Sequence, residues 1–144
     1  MGRERITSLL VVDDNEDDRE FLRLAIAEVE GERVRVTTAN DGLEGVDRLV
    51  RLCREGASPD LAIVDLKMPR MDGRAFVRRV RAQTGTSKLP VLVVSSSDDV
   101  DDVDSCYAAG CNAYFSKPMD FDGLVELVRG LSTHWLHCAR LPST

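Results

Sequence analysis

The sequence predicts an α/β domain built on a single doubly wound sheet of five parallel strands. Three observations carry this. Short apolar segments alternate with longer segments of helical periodicity, three of the apolar segments are unbroken hydrophobic runs, and 144 residues with 43% hydrophobic content suit one packed core, with no room expected for a second domain.

The elements follow in order. The first strand is Ser8 to Val12 (SLLVV). After it Asn15 offers a helix cap, Glu16, Asp17 and Asp18 favour the positive end of a helix, and Phe21, Leu22, Ala25, Ile26 and Val29 form one apolar stripe. Arg33 to Thr38 (RVRVTT) alternates and so reads as an edge strand. Asp41 to Arg54 places Val46, Leu49, Val50 and Cys53 on one helical side. Leu61 to Val64 (LAIV) is the third strand, and Asp72 to Arg81 follows as a helix with Phe76, Val77 and Val80 inward. Val91 to Val94 (VLVV) is the fourth strand, and Val100, Val103 and Tyr107 form a stripe that ends near Gly110. Asn112 to Phe115 (NAYF) is the fifth strand, and a last helix from about Asp120 to His137 repeats Phe121, Leu124, Val128, Leu131 and Trp135. The segments Glu55 to Pro59 and Gln83 to Leu89 read as connectors, and the crossovers should be right-handed.

Composition excludes several classes. A net charge of -6 argues against general nucleic-acid affinity, so no direct nucleic-acid partner and no DNA-binding output module is expected. Cys53, Cys106, Cys111 and Cys138 lie far apart, with no zinc-type pairing and no secretory signal before them, and read as reduced thiols of a cytoplasmic protein. No apolar run approaches the ~20 residues of a membrane helix, so no membrane insertion is expected.

In such sheets ligands bind beyond the carboxyl ends of the strands. The first strand ends in Asp13 and Asp14, the third in Asp65, the fourth in Ser95, and the fifth leads into Lys117. Carboxylates gathered at one rim repel each other unless a cation joins them, and Mg2+ suits an oxygen-only ligand set.

The stretches Leu9 to Asp14 (LLVVDD), Val64 to Gly73 (VDLKMPRMDG), Leu89 to Ser95 (LPVLVVS) and Tyr114 to Pro118 (YFSKP) resemble, in order, the signature segments of response-regulator receiver domains. The resemblance covers nearly the whole chain. It implies a flavodoxin-like (βα)5 fold with strand order 2-1-3-4-5, and a single domain over residues 1–144 with its core at about 6–131 and a C-terminal helical extension. It further implies that Asp65 takes a phosphoryl group from a histidine kinase, that Asp14, Asp65, the main-chain carbonyl of Lys67 and, directly or through water, Asp13 hold Mg2+, and that Lys117 and Ser95 engage the phosphoryl oxygens. The family often has Thr where this chain has Ser95. Tyr114 falls where the family has a switch aromatic, and the Lys117 to Pro118 bond is cis in the family. The protein is then a phosphoacceptor switch that assists its own phosphoryl transfer and not an enzyme in the ordinary sense. The ending Thr133 to Pro142 (THWLHCARLP) resembles stand-alone receivers paired with phytochrome-type histidine kinases. That implies such a kinase as one partner, a downstream protein or phosphotransfer partner as another, and a homodimer through the fourth helix, fifth strand and fifth helix, to which the apolar Trp135, Leu136 and Leu141 add a hint.

Other features have plainer readings. Pro69, Asp72 and Gly73 shape the loop and helix start after Asp65, and Lys67 and Ser97 lie beside the chemistry. The acids Asp98, Asp99, Asp101, Asp102 and Asp104 read as a solvated helix start, since they lack the glycine and terminal Glu of a calcium loop. Arg74, Arg78 and Arg81 read as a solvated face, and His134 and His137 as bystanders. Three rivals to the active receiver are an aspartate-nucleophile phosphatase, which wants a second acid two residues on from its nucleophile where this chain has Asn15, a flavodoxin-type electron carrier, whose phosphate Asp13 to Asp18 would repel, and a degenerate receiver that binds partners without phosphorylation.

Overall fold

Unbroken apolar strands need cover on both faces, and the computed structural model, which describes residues 7–142, supplies it. Five strands, β1 (Thr7–Val12), β2 (Val34–Ala39), β3 (Leu61–Val64), β4 (Val91–Ser95) and β5 (Ala113–Ser116), pair in parallel in the order β2-β1-β3-β4-β5. The helices are α1 (Glu16–Glu30), α2 (Gly42–Arg54), α3 (Gly73–Ala82), α4 (Val100–Ala109) and α5 (Phe121–Leu131). Because strand side chains alternate, each apolar run feeds two cores. Leu10, Val12, Ala62, Val64, Val91 and Val93 pack with Val46, Leu49, Phe76, Val77 and Val80 from α2 and α3. Leu9, Val11, Leu61, Ile63, Leu92 and Val94 pack with Leu22, Ala25 and Ile26 of α1 and Val125, Val128 and Leu131 of α5. The predicted start of the core at about residue 6 lies outside the described residues. No described helix is long and apolar enough to cross a membrane.

Each helix starts on a side-chain oxygen. Asn15, Asp41, Asp72, Asp99 and Asp120 accept from the backbone N–H of Asp18, Glu44, Ala75, Asp101 and Gly123, so the predicted first residues of α2, α3 and α5 are caps. Gly110 closes α4 at φ 113°, a left-handed conformation that glycine adopts without strain. Arg33 and Asn112, predicted as strand starts, lie outside the strands. Arg33 ends a 3-10 turn (Gly31–Arg33), and the Asn112 side chain bridges to the N–H of Val91.

Two helices depart from expectation. Two of the three residues predicted to bury α4 point outward, Val100 69% and Tyr107 48% exposed; Val103 is half-buried, and small Cys106 is the buried residue of the helix. The predicted last helix is α only to Leu131 and continues as a π-helical turn over Ser132–Cys138. Glu30, buried at the end of α1, accepts from the Ser132 hydroxyl and lies 2.7 Å from Nε2 of His137. Those partners are five residues apart, the spacing that a π turn brings onto one face. His137 is therefore no bystander, and half-buried Trp135 and Leu136 pack on the domain's own core.

The predicted arginine face is also corrected, because α4 and two loops cover most of it. Arg81 Nε donates to the Gly110 carbonyl (3.0 Å), Nη1 to those of Ser87 (3.1 Å) and Leu89 (2.6 Å), and Nη2 to Asn112 Oδ1 (2.7 Å). Only Arg78 of the three is exposed. Arg81→Ala strands these acceptors and is expected to destabilise the fold by roughly 2–3 kcal/mol in denaturant unfolding, with Arg81→Lys recovering only part, since one ammonium cannot match the fork. Equal stability of wild type and Arg81→Ala would contradict the brace.

Candidate functional site

The carboxyl edge of the sheet brings together residues from distant parts of the chain. Asp13 follows β1 and Asp65 follows β3, and the Asp65 N–H donates to the Val12 carbonyl at 2.9 Å, extending the β1–β3 ladder to the site. Asp65 Oδ1 accepts from the Leu66 N–H at 2.7 Å, which fixes one carboxylate oxygen and leaves Oδ2 to the cleft. Gly73 lets α3 start against this loop, for a Cβ there would lie 2.5 Å from the Asp65 carbonyl oxygen. Arg70, with φ 65°, donates from Nε (2.9 Å) and Nη2 (2.6 Å) to Asp41 Oδ2, tying the same loop to the start of α2. The Glu44 N–H, aided by Arg70, holds the Asp41 carboxyl below its ordinary range.

Carboxylate oxygens of Asp13, Asp14 and Asp65 lie within 4.8 Å of one another. Lys117 enters from the end of β5, its N–H donating to the Ser95 carbonyl at 2.8 Å. Its Nζ donates to Asp13 Oδ2 (2.9 Å), Asp18 Oδ2 (2.9 Å) and Asp65 Oδ2 (3.1 Å). The Lys117 to Pro118 bond is trans, correcting the cis expectation: there is no cis peptide among the described residues, and the long lysine stem reaches the carboxylates without one.

Electrostatics here are unbalanced toward negative charge. Burial pushes the Asp13 carboxyl above its ordinary value and the neighbouring charge of Asp65 adds to that, although the Asn15 N–H and Lys117 act the other way. Burial alone would lower Lys117, but the Asp18 hydrogen bond and the charges of Asp13 and Asp65 outweigh it and hold the ammonium protonated. A buried carboxylate that stays uncomfortable beside a lysine is one that a further cation would relieve. The oxygen-only donor set fits a hard divalent ion such as Mg2+. Lys67 follows in the loop with its side chain exposed.

Ser95 is buried at the end of β4, and its Oγ accepts from the Ser97 N–H at 3.2 Å. Ser97 in turn donates from Oγ to Asp102 Oδ2 (2.6 Å), and its carbonyl accepts from the Tyr114 hydroxyl (2.7 Å). Arg74 adds bonds to Ser105 Oγ (2.9 Å) and lies 3.6 Å from Asp102 Oδ1. A polar chain thus runs from Ser95 through Ser97 to α4 and to Tyr114 on β5. Between α1 and the β5–α5 loop a cavity of about 240 Å³ opens beside Asp13, Asp65 and Lys117, and its rim carries the exposed side chains of Phe21, Met119 and Phe121.

All the predicted side chains are near this edge: Lys117 bonds Asp13 and Asp65, Asp14 completes the carboxylate cluster, and Ser95 and Tyr114 connect through Ser97. Sequence reasoning missed the contact of Asp18 with Lys117, because its position in the first turn of a helix is already explained by the helix dipole. It also missed the Arg70 to Asp41 pair and the Arg74 to Asp102 contact, for which the sequence carries no local signal.

The family model described as response regulator receiver domain matches residues 9–129. Response regulator Rcp1 of Synechocystis sp. is 31% identical over 85 residues, 59% of this chain and 58% of that protein, so the match spans little more than half of the relative's length. The crystal structure of the phosphorylated cyanobacterial phytochrome response regulator RcpA superposes with TM-score 0.86 at 30% identity, covering 95% of this chain and 99% of that one. A response regulator in red light signaling of R. palustris gives TM-score 0.86 at 30% identity, covering 96% and 99%.

Proposed function

Since the chain belongs to the response regulator receiver domain family, we propose that it is a phosphorylation switch of a two-component system with Asp65 as the phosphoryl acceptor. The observation that carries this reading is the convergence of Asp13, Asp14 and Asp65 on one rim, with Lys117 bridging Asp13 and Asp65. The Asp65 carboxylate attacks the phosphorus of a kinase phosphohistidine through Oδ2, the oxygen that faces the cleft. The P–N bond breaks with its electron pair leaving on the imidazole, and Asp65 becomes an acyl phosphate. Asp13, Asp14, Asp65 and the Lys67 carbonyl would hold Mg2+, which would supply the charge neutralisation that the phosphoryl group needs. Lys117 exchanges the Asp65 oxygen for a phosphoryl oxygen, and Ser95 turns its hydroxyl to another. That turn gives up the Ser97 N–H and so disturbs the chain to Asp102 and Tyr114.

Likeness to a phytochrome response regulator supports a phytochrome-type histidine kinase as donor. The exposed Phe21, Met119 and Phe121 beside the cavity supply an apolar landing for it. Output then falls to the face of α4, β5 and α5, where Val100 and Tyr107 stand exposed for a downstream protein or a second copy of the chain.

Incubation with Mg2+ and acetyl phosphate, followed by peptide mass mapping, tests the reading. The expected result is one phosphoryl group, located on Asp65, and none after chelation with EDTA. Absence of labelling in the presence of magnesium would favour the degenerate, binding-only alternative.

A further inference from the structure

Asp18 stands three residues after the α1 cap, where an acid commonly reaches back to the cap's own N–H to close a capping box. Here that N–H is taken, because the Asn15 N–H donates to Asp13 Oδ1 at 3.0 Å. The Asp18 backbone N–H still serves the cap by donating to Asn15 Oδ1 at 2.9 Å, while its carboxylate turns to Lys117 Nζ at 2.9 Å. Of the three carboxylates on that ammonium, Asp13 and Asp65 belong to the cluster able to hold a cation and Asp18 does not. Once a cation engages Asp13 and Asp65, Asp18 is the acceptor left to Lys117.

We propose that Asp18 is a positioning residue for Lys117, an anchor outside the cation ligands that keeps the ammonium when a cation takes Asp13 and Asp65 and yields it when a phosphoryl group arrives. This rests on the receiver reading above. It gives Asp18 two opposed effects. An acceptor that keeps the ammonium when it leaves Asp13 and Asp65 lowers the cost of giving those two to the metal, which favours metal binding. Competing with the phosphoryl oxygens for the same ammonium slows phosphoryl uptake. A residue that merely shaped the start of α1 would move both quantities in the same direction.

The test measures Mg2+ affinity by calorimetry and the rate of labelling by acetyl phosphate at saturating Mg2+. Asp18 is 41% exposed, so the ion pair is screened, and each effect should be about two- to fivefold. Asp18→Asn is expected to weaken Mg2+ binding and to speed labelling, and Asp18→Glu to restore both toward wild type. In a Lys117→Met background, Asp18→Asn should change Mg2+ affinity by less than about twofold, leaving only its direct charge effect. An equal loss of affinity in both backgrounds, or labelling that slows along with weakened Mg2+ binding, would overturn the assignment of Asp18 alone. A wild-type protein that takes no phosphoryl group would overturn the phosphoacceptor reading, and this one with it.

Discussion

Asp65→Asn is expected to remove phosphoryl uptake, lowering the labelling rate with acetyl phosphate by a factor on the order of 10³ or more, because the amide lacks the nucleophilic charge. The substitution is well placed to separate chemistry from folding. The Asn carbonyl oxygen can still accept from the Leu66 N–H, as Asp65 Oδ1 does at 2.7 Å, and the backbone bond to Val12 is untouched. What is lost is the ion pair between Oδ2 and Lys117, 3.1 Å long. Its loss is offset by relief of the repulsion between Asp65 and Asp13, so unfolding free energy should change by no more than about 1 kcal/mol. Mg2+ affinity should fall, since one of three carboxylates has gone. Peptide mapping of wild type and variant side by side decides the matter: undiminished labelling of a folded Asp65→Asn protein would sink the acceptor assignment.

The strands and most site side chains were legible for the same reason. A covered parallel strand must be apolar throughout, so LAIV and VLVV announce themselves, and the reactive residues are those that follow such runs directly. What stayed hidden depends on tertiary packing that no local pattern encodes. Val100, Val103 and Tyr107 have helical spacing, yet α4 buries small Cys106 and leaves the larger Val100 and Tyr107 outside. Arg74 and Arg81 have the spacing of a solvated face, but α4 and the loops before β4 and β5 close over them, and long stems carry the Arg81 charge to neutral acceptors and the Arg74 charge to Ser105 and Asp102. Glu30 and His137 are 107 positions apart and meet only because the chain end widens into a π turn. Asp18 reads in the sequence only as a helix-dipole acid. A first-turn acid needs no special explanation, and only the Asn15 N–H bond to Asp13 shows that its carboxylate is free to turn elsewhere.

Lys117→Met is expected to be the most pH-sensitive change at the site. The side chain is only a fifth exposed, and removing it leaves the buried Asp13 and the nearly buried Asp65 facing each other without their shared cation. Breaking a buried ion pair from one side costs about 3–5 kcal/mol, and partial access of water here should reduce that to roughly 2–4 kcal/mol in the absence of metal. Burial already raises the Asp13 carboxyl above its unfolded value of 3.8, and loss of Lys117, which pulls it down, raises it further. A carboxyl with a raised folded pKa lends stability that is fully present below the unfolded pKa and is lost as pH rises through the folded one. The variant's deficit should therefore be small near pH 4 and should widen toward neutrality, whereas relief by Mg2+ should be largest at neutral pH, where the carboxylates are ionised. Because Lys117 also repels a cation from the same oxygens, its removal should tighten Mg2+ binding, so that saturating Mg2+ stabilises the variant more than the wild type. Denaturant unfolding of both proteins from pH 4 to 8, with and without Mg2+, reads all of this. A deficit that does not vary with pH, or an equal Mg2+ shift in the two proteins, would show that Lys117 is not the cation balancing Asp13 and Asp65.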